Sequence, residues 1–151
     1  MVTGPVTSSL VVGPCADDPD DYDQRKAERI TAILNLQSPD DRGERTLADV
    51  ESAAKSARIE FRNVPVTDFD SLDLKLKLPR CVRMLDELVR AGHRVYVHCT
   101  AGVTRSPTVI AAYLHWELGW PLEKSLERLH EARNCCPRGD VIRRAQTDAG
   151  P

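Results

Sequence analysis

Apolar positions along the chain fall into short β-like runs separated by stretches with helical spacing. Leu10-Val11-Val12 reads as a strand closed by the Gly13-Pro14 turn. Ile30 to Leu36 is a nearly continuous apolar stretch, the pattern of a strand buried on both faces. Ile59 to Val64 alternates and stops at Pro65, and Arg94 to His98 is a further β-rich run. Asp17 to Asp23 holds five Asp, which suit a helix start ahead of Gln24–Arg29 better than a cation site, since no EF-hand spacing follows. Leu47, Val50 and Ala54 share one face of a helix over Thr46–Ser56. From Leu78, the residues Cys81, Val82, Leu85, Leu88 and Val89 recur at three- and four-residue steps until Gly92, predicting one amphipathic helix. Further helices are predicted over about 107–118, 122–133 and 140–147. Ser38–Arg45 and Val66–Leu72 carry neither period and read as loops.

Strands alternating with helices predict an α/β fold: a single domain with a mostly parallel central sheet of about four or five strands flanked by helices. The expected unit covers 10–147, with tails at 1–9 and 148–151. A length of 151 residues suits one domain. The 21 Lys+Arg against 23 Asp+Glu give a charge of −2, without the basic excess that nucleic acid calls for. The longest apolar run, Val109 to Leu114, is far too short to cross a bilayer, and no basic-then-apolar leader opens the chain. Five cysteines, an odd number without Cys-x-x-Cys spacing, suggest no disulfide framework, and the histidines show no metal-ligand spacing. The expectation is a soluble monomer in the reducing cytoplasm, with no metal, nucleic-acid or membrane partner.

The chemistry concentrates in Val95 to Pro107, which reads as strand, tight loop and helix start. Ser106 is expected to cap the helix, and Pro107 suits its first turn. A loop entering a helix N-terminus aims backbone N–H groups at one point and so makes an anion site. Thr100, Ala101, Gly102, Val103 and Thr104 form that loop, with Gly102 allowing the turn, and Arg105 adds a planar fork able to hold two phosphate oxygens. Cys99 stands at the mouth, where the same N–H groups would favour a thiolate nucleophile. On its own, a cysteine at a strand end reads as a small buried hydrophobe. Its spacing to Gly102, Arg105 and Ser106 makes the catalytic reading the stronger one.

These residues resemble the His-Cys-x5-Arg-Ser/Thr motif of the cysteine-dependent tyrosine and dual-specificity phosphatases, matched here by His98-Cys99, Arg105 and Ser106. The resemblance implies a phosphocysteine formed on Cys99, with no metal or other cofactor. Arg105 and the loop amides would stabilise the transferring group. His98 would orient the loop, and Ser106 would assist the departing sulfur. It also implies a carboxylic acid on an upstream loop to protonate the leaving oxygen. Asp68 stands 31 residues before Cys99 on the loop after the Ile59–Val64 strand. Asp70 and Asp73 are its rivals, whose alternative role is turn capping or solvation, a role that fits Asp73 best because it lies close to the next helix.

The runs Ile30–Gln37, Asp68–Leu74 and His98–Gly102 look like the plant-type glucan phosphatases, a similarity extending over about residues 10–144. Phe69 corresponds to an aromatic that contacts glucan in that group, and it and Asp70 are candidate substrate contacts. Thr104 stands where that group has Gly, and Ser38–Arg45 lacks the aromatic residues that help it hold a chain. A phosphoprotein is therefore the first expected substrate and a phosphorylated glucan a close second, with an inactive phosphate-binding module as the reading from another class. Lys75, Lys77, Arg80 and Arg83 read as a solvated helix face beside the cleft. Trp116 reads as core, and Trp120 is a weaker candidate platform for substrate. Asn35 is expected to support the catalytic loop from beneath or to satisfy a neighbouring backbone group. Cys15, Cys81, Cys135 and Cys136 are open candidates to form a protective disulfide with Cys99.

Overall fold

The most apolar runs became the middle of the sheet. In the structure, a computed structural model describing residues 3–15, 19–42 and 45–148, β2 (Leu10–Gly13), β3 (Ala32–Asn35) and β5 (Val95–His98) are buried at every position. They run parallel with β5 in the centre, β4 (Glu60–Asn63) lies parallel at one edge, and β1 (Gly4–Thr7) pairs antiparallel with β2 at the other. The register aligns Val11, Tyr96 and Ile33 across the three middle strands on one face, and Val12, Val97 and Leu34 on the other. The first row packs with Tyr22 of α1 (Pro19–Ala27) and Ala54 of α2 (Leu47–Ser56). The second packs on α3 (Ser71–Arg90), α4 (Arg105–Trp116), α5 (Leu122–Ala132) and α6 (Gly139–Asp148), which carry most of the buried residues of that cluster. Trp116 and Trp120 pack partly buried against this larger cluster.

Four expectations need correcting. Residues 4–7, expected within a tail, form β1, anchored by Arg128 of α5, which donates to the carbonyls of Val6 (2.8 Å) and Pro5 (3.1 Å). The helix expected from Leu78 begins at Ser71, because Asp70 accepts from the Asp73 N–H at 3.0 Å as its cap and Leu74 extends the buried face backward. Pro39–Arg42 forms a short 3-10 turn inside the expected loop. Ser106 does not cap α4; the cap position is Thr104, which makes no side-chain capping bond. Asp17 and Asp18, expected to open α1, lie outside the described residues.

The loops after β2, β3, β4 and β5 all leave the sheet at the carboxyl ends of its parallel strands. Open α/β sheets place their sites along that edge. Among the described residues no helix is long and apolar enough to cross a membrane.

Candidate active site

The β5–α4 loop is shaped by bonds made outside it. Carbonyls of Thr100, Ala101 and Val103 accept, respectively, from Cys15 N (3.0 Å), Arg133 Nη2 (3.2 Å) and Cys136 N (2.6 Å). In a trans peptide the N–H points opposite to the C=O. The N–H groups of Ala101, Gly102 and Thr104 therefore turn toward the inside of the loop. Gly102 is required there: its φ is +71°, and an added Cβ would lie 2.5 Å from the backbone of Gly13. With no side chain capping α4, the first amides of that helix remain available to an anion.

Cys99 lies at the base, 2% exposed, its Sγ 3.5 Å from Ser106 Oγ. His98 is buried against Tyr96 and donates from Nδ1 to the Cys99 carbonyl at 2.9 Å. Tyr96 in turn donates to the Pro14 carbonyl, so β5 also fixes the loop after β2.

Arg105 is 3% exposed and already half occupied. Its Nη1 and Nη2 donate to the two oxygens of Asp41, each at 2.8 Å, and Nη1 also reaches the Val66 carbonyl at 2.8 Å. Nε has no hydrogen-bond acceptor, although Asp68 Oδ1 lies 3.3 Å away. One edge of the guanidinium is thus anchored, and the other presents a buried, unsatisfied donor to the cleft. Burial opposes ionisation of Asp41, but bonds from Arg105, Thr100 and Ser38 outweigh it and hold the carboxyl well below the usual carboxylate range. Burial likewise opposes charge on Arg105, and Asp41 more than restores it.

Asp41 carried no sequence signal of its own within a polar loop. What could have found it is that a buried arginine needs a carboxylate, and Asp41 follows β3, the neighbour of β5. Asn35 Oδ1 accepts from Gln37 N at 2.7 Å, and Gln37 Nε2 donates to Thr100 Oγ1 at 3.2 Å. Asn35 thus satisfies a neighbouring backbone group, while Gln37 contacts the β5–α4 loop.

The three acids separate by environment. Asp70 caps α3. Asp73 accepts from the Thr67 N–H at 2.7 Å and from Lys77 Nζ at 3.3 Å, closing the turn. Asp68 has a side chain 39% exposed beside the free edge of Arg105. Phe69 is 99% exposed with φ +58°, a left-handed backbone that costs a bulky residue about 1–2 kcal/mol. A cleft of about 240 Å³ is lined by Asp68, Phe69, Asp70, Thr104 and Arg105, and by Arg138, which the sequence did not single out. Lys75, Arg80 and Arg83 lie outside its lining. None of the five cysteines is in a disulfide, and burial pushes Cys81 up to about 12.

A family model described as dual specificity phosphatase, catalytic domain, matches residues 15–143. The chain is 33% identical over 148 residues to a phosphoglucan phosphatase, amyloplastic, of Castanea sativa, covering 95% of this chain and 39% of that protein. It is 32% identical over 145 residues to a chloroplastic phosphoglucan phosphatase of Arabidopsis thaliana, covering 95% and 24%. Dual specificity protein phosphatase 5 of Rattus norvegicus is 30% identical over 105 residues, covering 70% and 24%. The chain spans well under half the length of these relatives. Among solved structures, human DUSP28 superposes with a TM-score of 0.74 at 23% identity over 99% of this chain and 95% of its own. Tk-PTP in its active form gives 0.76 at 20% over 97% and 94%. Both likenesses concern the fold.

Proposed function

The chain belongs to the dual specificity phosphatase family, and from that premise we propose that it hydrolyses phosphate monoesters through a phosphocysteine. The observation that carries this reading is the buried, acceptor-less Nε of Arg105, set beside Asp68, on a guanidinium that also feels the charge of Cys99. A phosphate oxygen satisfies that donor, and the inward N–H groups of the loop take the others. The Cys99 thiolate attacks phosphorus; the S–P bond forms as the ester P–O bond breaks. Asp68 delivers its proton to the leaving oxygen. Asp68, now a carboxylate, then takes a proton from water, whose oxygen attacks phosphorus. The S–P bond breaks, Ser106 Oγ donates toward the departing sulfur, and inorganic phosphate leaves. His98 holds the peptide of Cys99 in place.

We further propose a phosphorylated α-glucan as the substrate. The similarity to phosphoglucan phosphatases extends over nearly the whole chain, and Phe69 offers a bare aromatic face at the cleft mouth, suited to stacking on a sugar. A phosphoprotein is the second reading, favoured by Thr104 before the arginine and by the match to a protein-directed relative. A monomer in the cytoplasm is part of the same proposal, in keeping with five cysteines of which none is in a disulfide.

The test is phosphate release from phosphorylated amylopectin and from a phosphotyrosine peptide, with Cys99→Ser as blank. Wild type is expected to release phosphate from amylopectin preferentially, and Cys99→Ser from neither. Asp68→Asn should lose roughly 100-fold or more on both, and much less on p-nitrophenyl phosphate, whose leaving group needs no proton. Release from the peptide alone selects the second reading. No release from any of the three, with phosphate still bound, makes the protein a phosphate-binding module.

A further inference from the structure

Thr100 follows Cys99 in the β5–α4 loop, and both of its polar groups are engaged outside that loop. Its carbonyl accepts from Cys15 N at 3.0 Å. Its hydroxyl accepts from Gln37 Nε2 at 3.2 Å and donates to Asp41 Oδ1 at 2.6 Å. The direction is fixed, because the hydroxyl has one proton and an ionised carboxylate only accepts. The same Oδ1 accepts from Arg105 Nη2 at 2.8 Å, and that Nη2 lies 3.5 Å from Thr100 Oγ1. The residue next to Cys99 and the guanidinium of Arg105 thus share one carboxylate oxygen. Behind the hydroxyl the chain of bonds runs into the sheet. Gln37 Oε1 accepts from Asn35 Nδ2 at 3.4 Å, which leaves Nε2 as the end turned to Thr100. The Gln37 N–H donates to Asn35 Oδ1 at 2.7 Å, and its carbonyl accepts from Asn63 Nδ2 of β4 at 3.1 Å. Asn35 and Gln37 are both buried, so the hydroxyl of Thr100 is placed from β3 and β4.

We propose that Thr100 is a positioning residue: through its hydroxyl bond to Asp41 it locks the Cys99 end of the loop to the anchored edge of Arg105, so that the free Nε edge is held where the phosphoryl group is transferred. The inference rests on the phosphatase reading for its chemistry, and the carrier of the phosphate does not enter it. The Thr100 side chain is spent on Asp41, so its part in the reaction is to fix other groups. Fixed donors act most strongly on charge that develops during transfer, so the contribution falls in kcat more than in KM.

The test compares wild type, Thr100→Val and Thr100→Ser on p-nitrophenyl phosphate. Val keeps the shape and removes the hydroxyl, and Ser restores it. Thr100→Val is expected to lose roughly tenfold in kcat, the scale of a hydrogen bond to a charged group, with KM within about twofold. Thr100→Ala should behave as Thr100→Val, so the effect does not hang on one replacement, and Thr100→Ser should stay within about twofold of wild type. In an Asp41→Asn background, adding Thr100→Val should cost less than about threefold, because the shared charge is already gone. A Val variant with wild-type kcat, a Ser variant as slow as Val, or an equal loss in both backgrounds overturns the proposal. A second arm is independent of turnover: hydrogen exchange at the Arg105 Nε–H, followed by NMR in the free protein. Exchange should quicken roughly tenfold or more in Thr100→Val and return in Thr100→Ser. Unchanged exchange overturns the positioning role whatever the activity shows. Exchange that follows the hydroxyl in a protein without turnover would keep that role for the arginine and reject the phosphatase reading.

Discussion

At the scale of single residues, Asp41 decides how the Arg105 guanidinium is held. Its side chain is 6% exposed and pairs with a guanidinium that is 4% exposed, so removing either charge strands the other. Asp41→Asn keeps the shape and removes the charge, and should cost about 3 kcal/mol of stability at neutral pH. It should also lower kcat/KM on p-nitrophenyl phosphate at least tenfold, because the arginine is no longer anchored from behind. The pH dependence separates the charge from the packing. A carboxyl held below its unfolded value near 3.8 stabilises the fold above that value, and the contribution is lost as pH falls toward the folded value. Urea midpoints of wild type and Asp41→Asn should therefore stay a fixed interval apart at pH 7 and pH 5 and converge below about pH 4. A constant interval down to pH 3 would mean that the ion pair contributes nothing as a charge. Asp41 lies 64 positions from Arg105, and nothing local marks it. The His98–Ser106 motif was legible because its parts are contiguous. The far side of the arginine was not, because a polar loop looks the same whether or not a buried cation sits against it.

At the scale of elements, the first turns of α3 show why a helix start was read seven residues late. Leu74 and Leu78 continue the buried face backward, 3% and 0% exposed, but Leu72 and Leu76 are 61% and 66% exposed and fill the opposite side. Apolar residues on both faces erase the amphipathic period, and Pro79, which has no N–H to donate to the Lys75 carbonyl, looks like a boundary. A paired substitution checks the register. Leu74→Ala should cost about 2–4 kcal/mol in urea unfolding, whereas Leu76→Ala should stay within about 0.5 kcal/mol. Equal costs would mean that the exposed face is covered in solution. α4 failed in the opposite sense. Ser106 has the residue type of a cap, but it is wholly buried and faces the sulfur of Cys99. Capping propensity describes helices whose N-terminus faces water. Here that end opens on the β5–α4 loop and carries no side-chain cap, and on the reading proposed above a capping side chain would compete with phosphate for the same N–H groups.

At the scale of the whole molecule, strand number, direction and layering were readable because β2, β3 and β5 are apolar runs and parallel sheets bury both faces. The exception is β1. Gly4-Pro5-Val6-Thr7 offers a single buried apolar side chain, Val6, and its place depends on contacts that only the fold supplies. These are the register against β2, the two bonds from Arg128, and an approach so close that a Cβ on Gly4 would stand 2.3 Å from the Ala132 carbonyl. The same end of α5 leads into Arg133 and Cys136, which hold the Ala101 and Val103 carbonyls of the catalytic loop. β1 is thus joined to the active site through α5, and it covers the edge of β2, whose Leu10, Val11 and Val12 are almost completely buried. Deleting residues 1–8 distinguishes a strand from a tail. Loss of a strand should lower Tm by at least about 5 °C. The bare β2 edge should also drive concentration-dependent association, because an uncovered apolar edge pairs with another copy. kcat on p-nitrophenyl phosphate should fall as the loop loses its support from α5, with phosphate affinity falling alongside. A deletion that leaves Tm, sedimentation and kcat unchanged would return these residues to the role of a tail and cut the link from the sheet edge to Cys99.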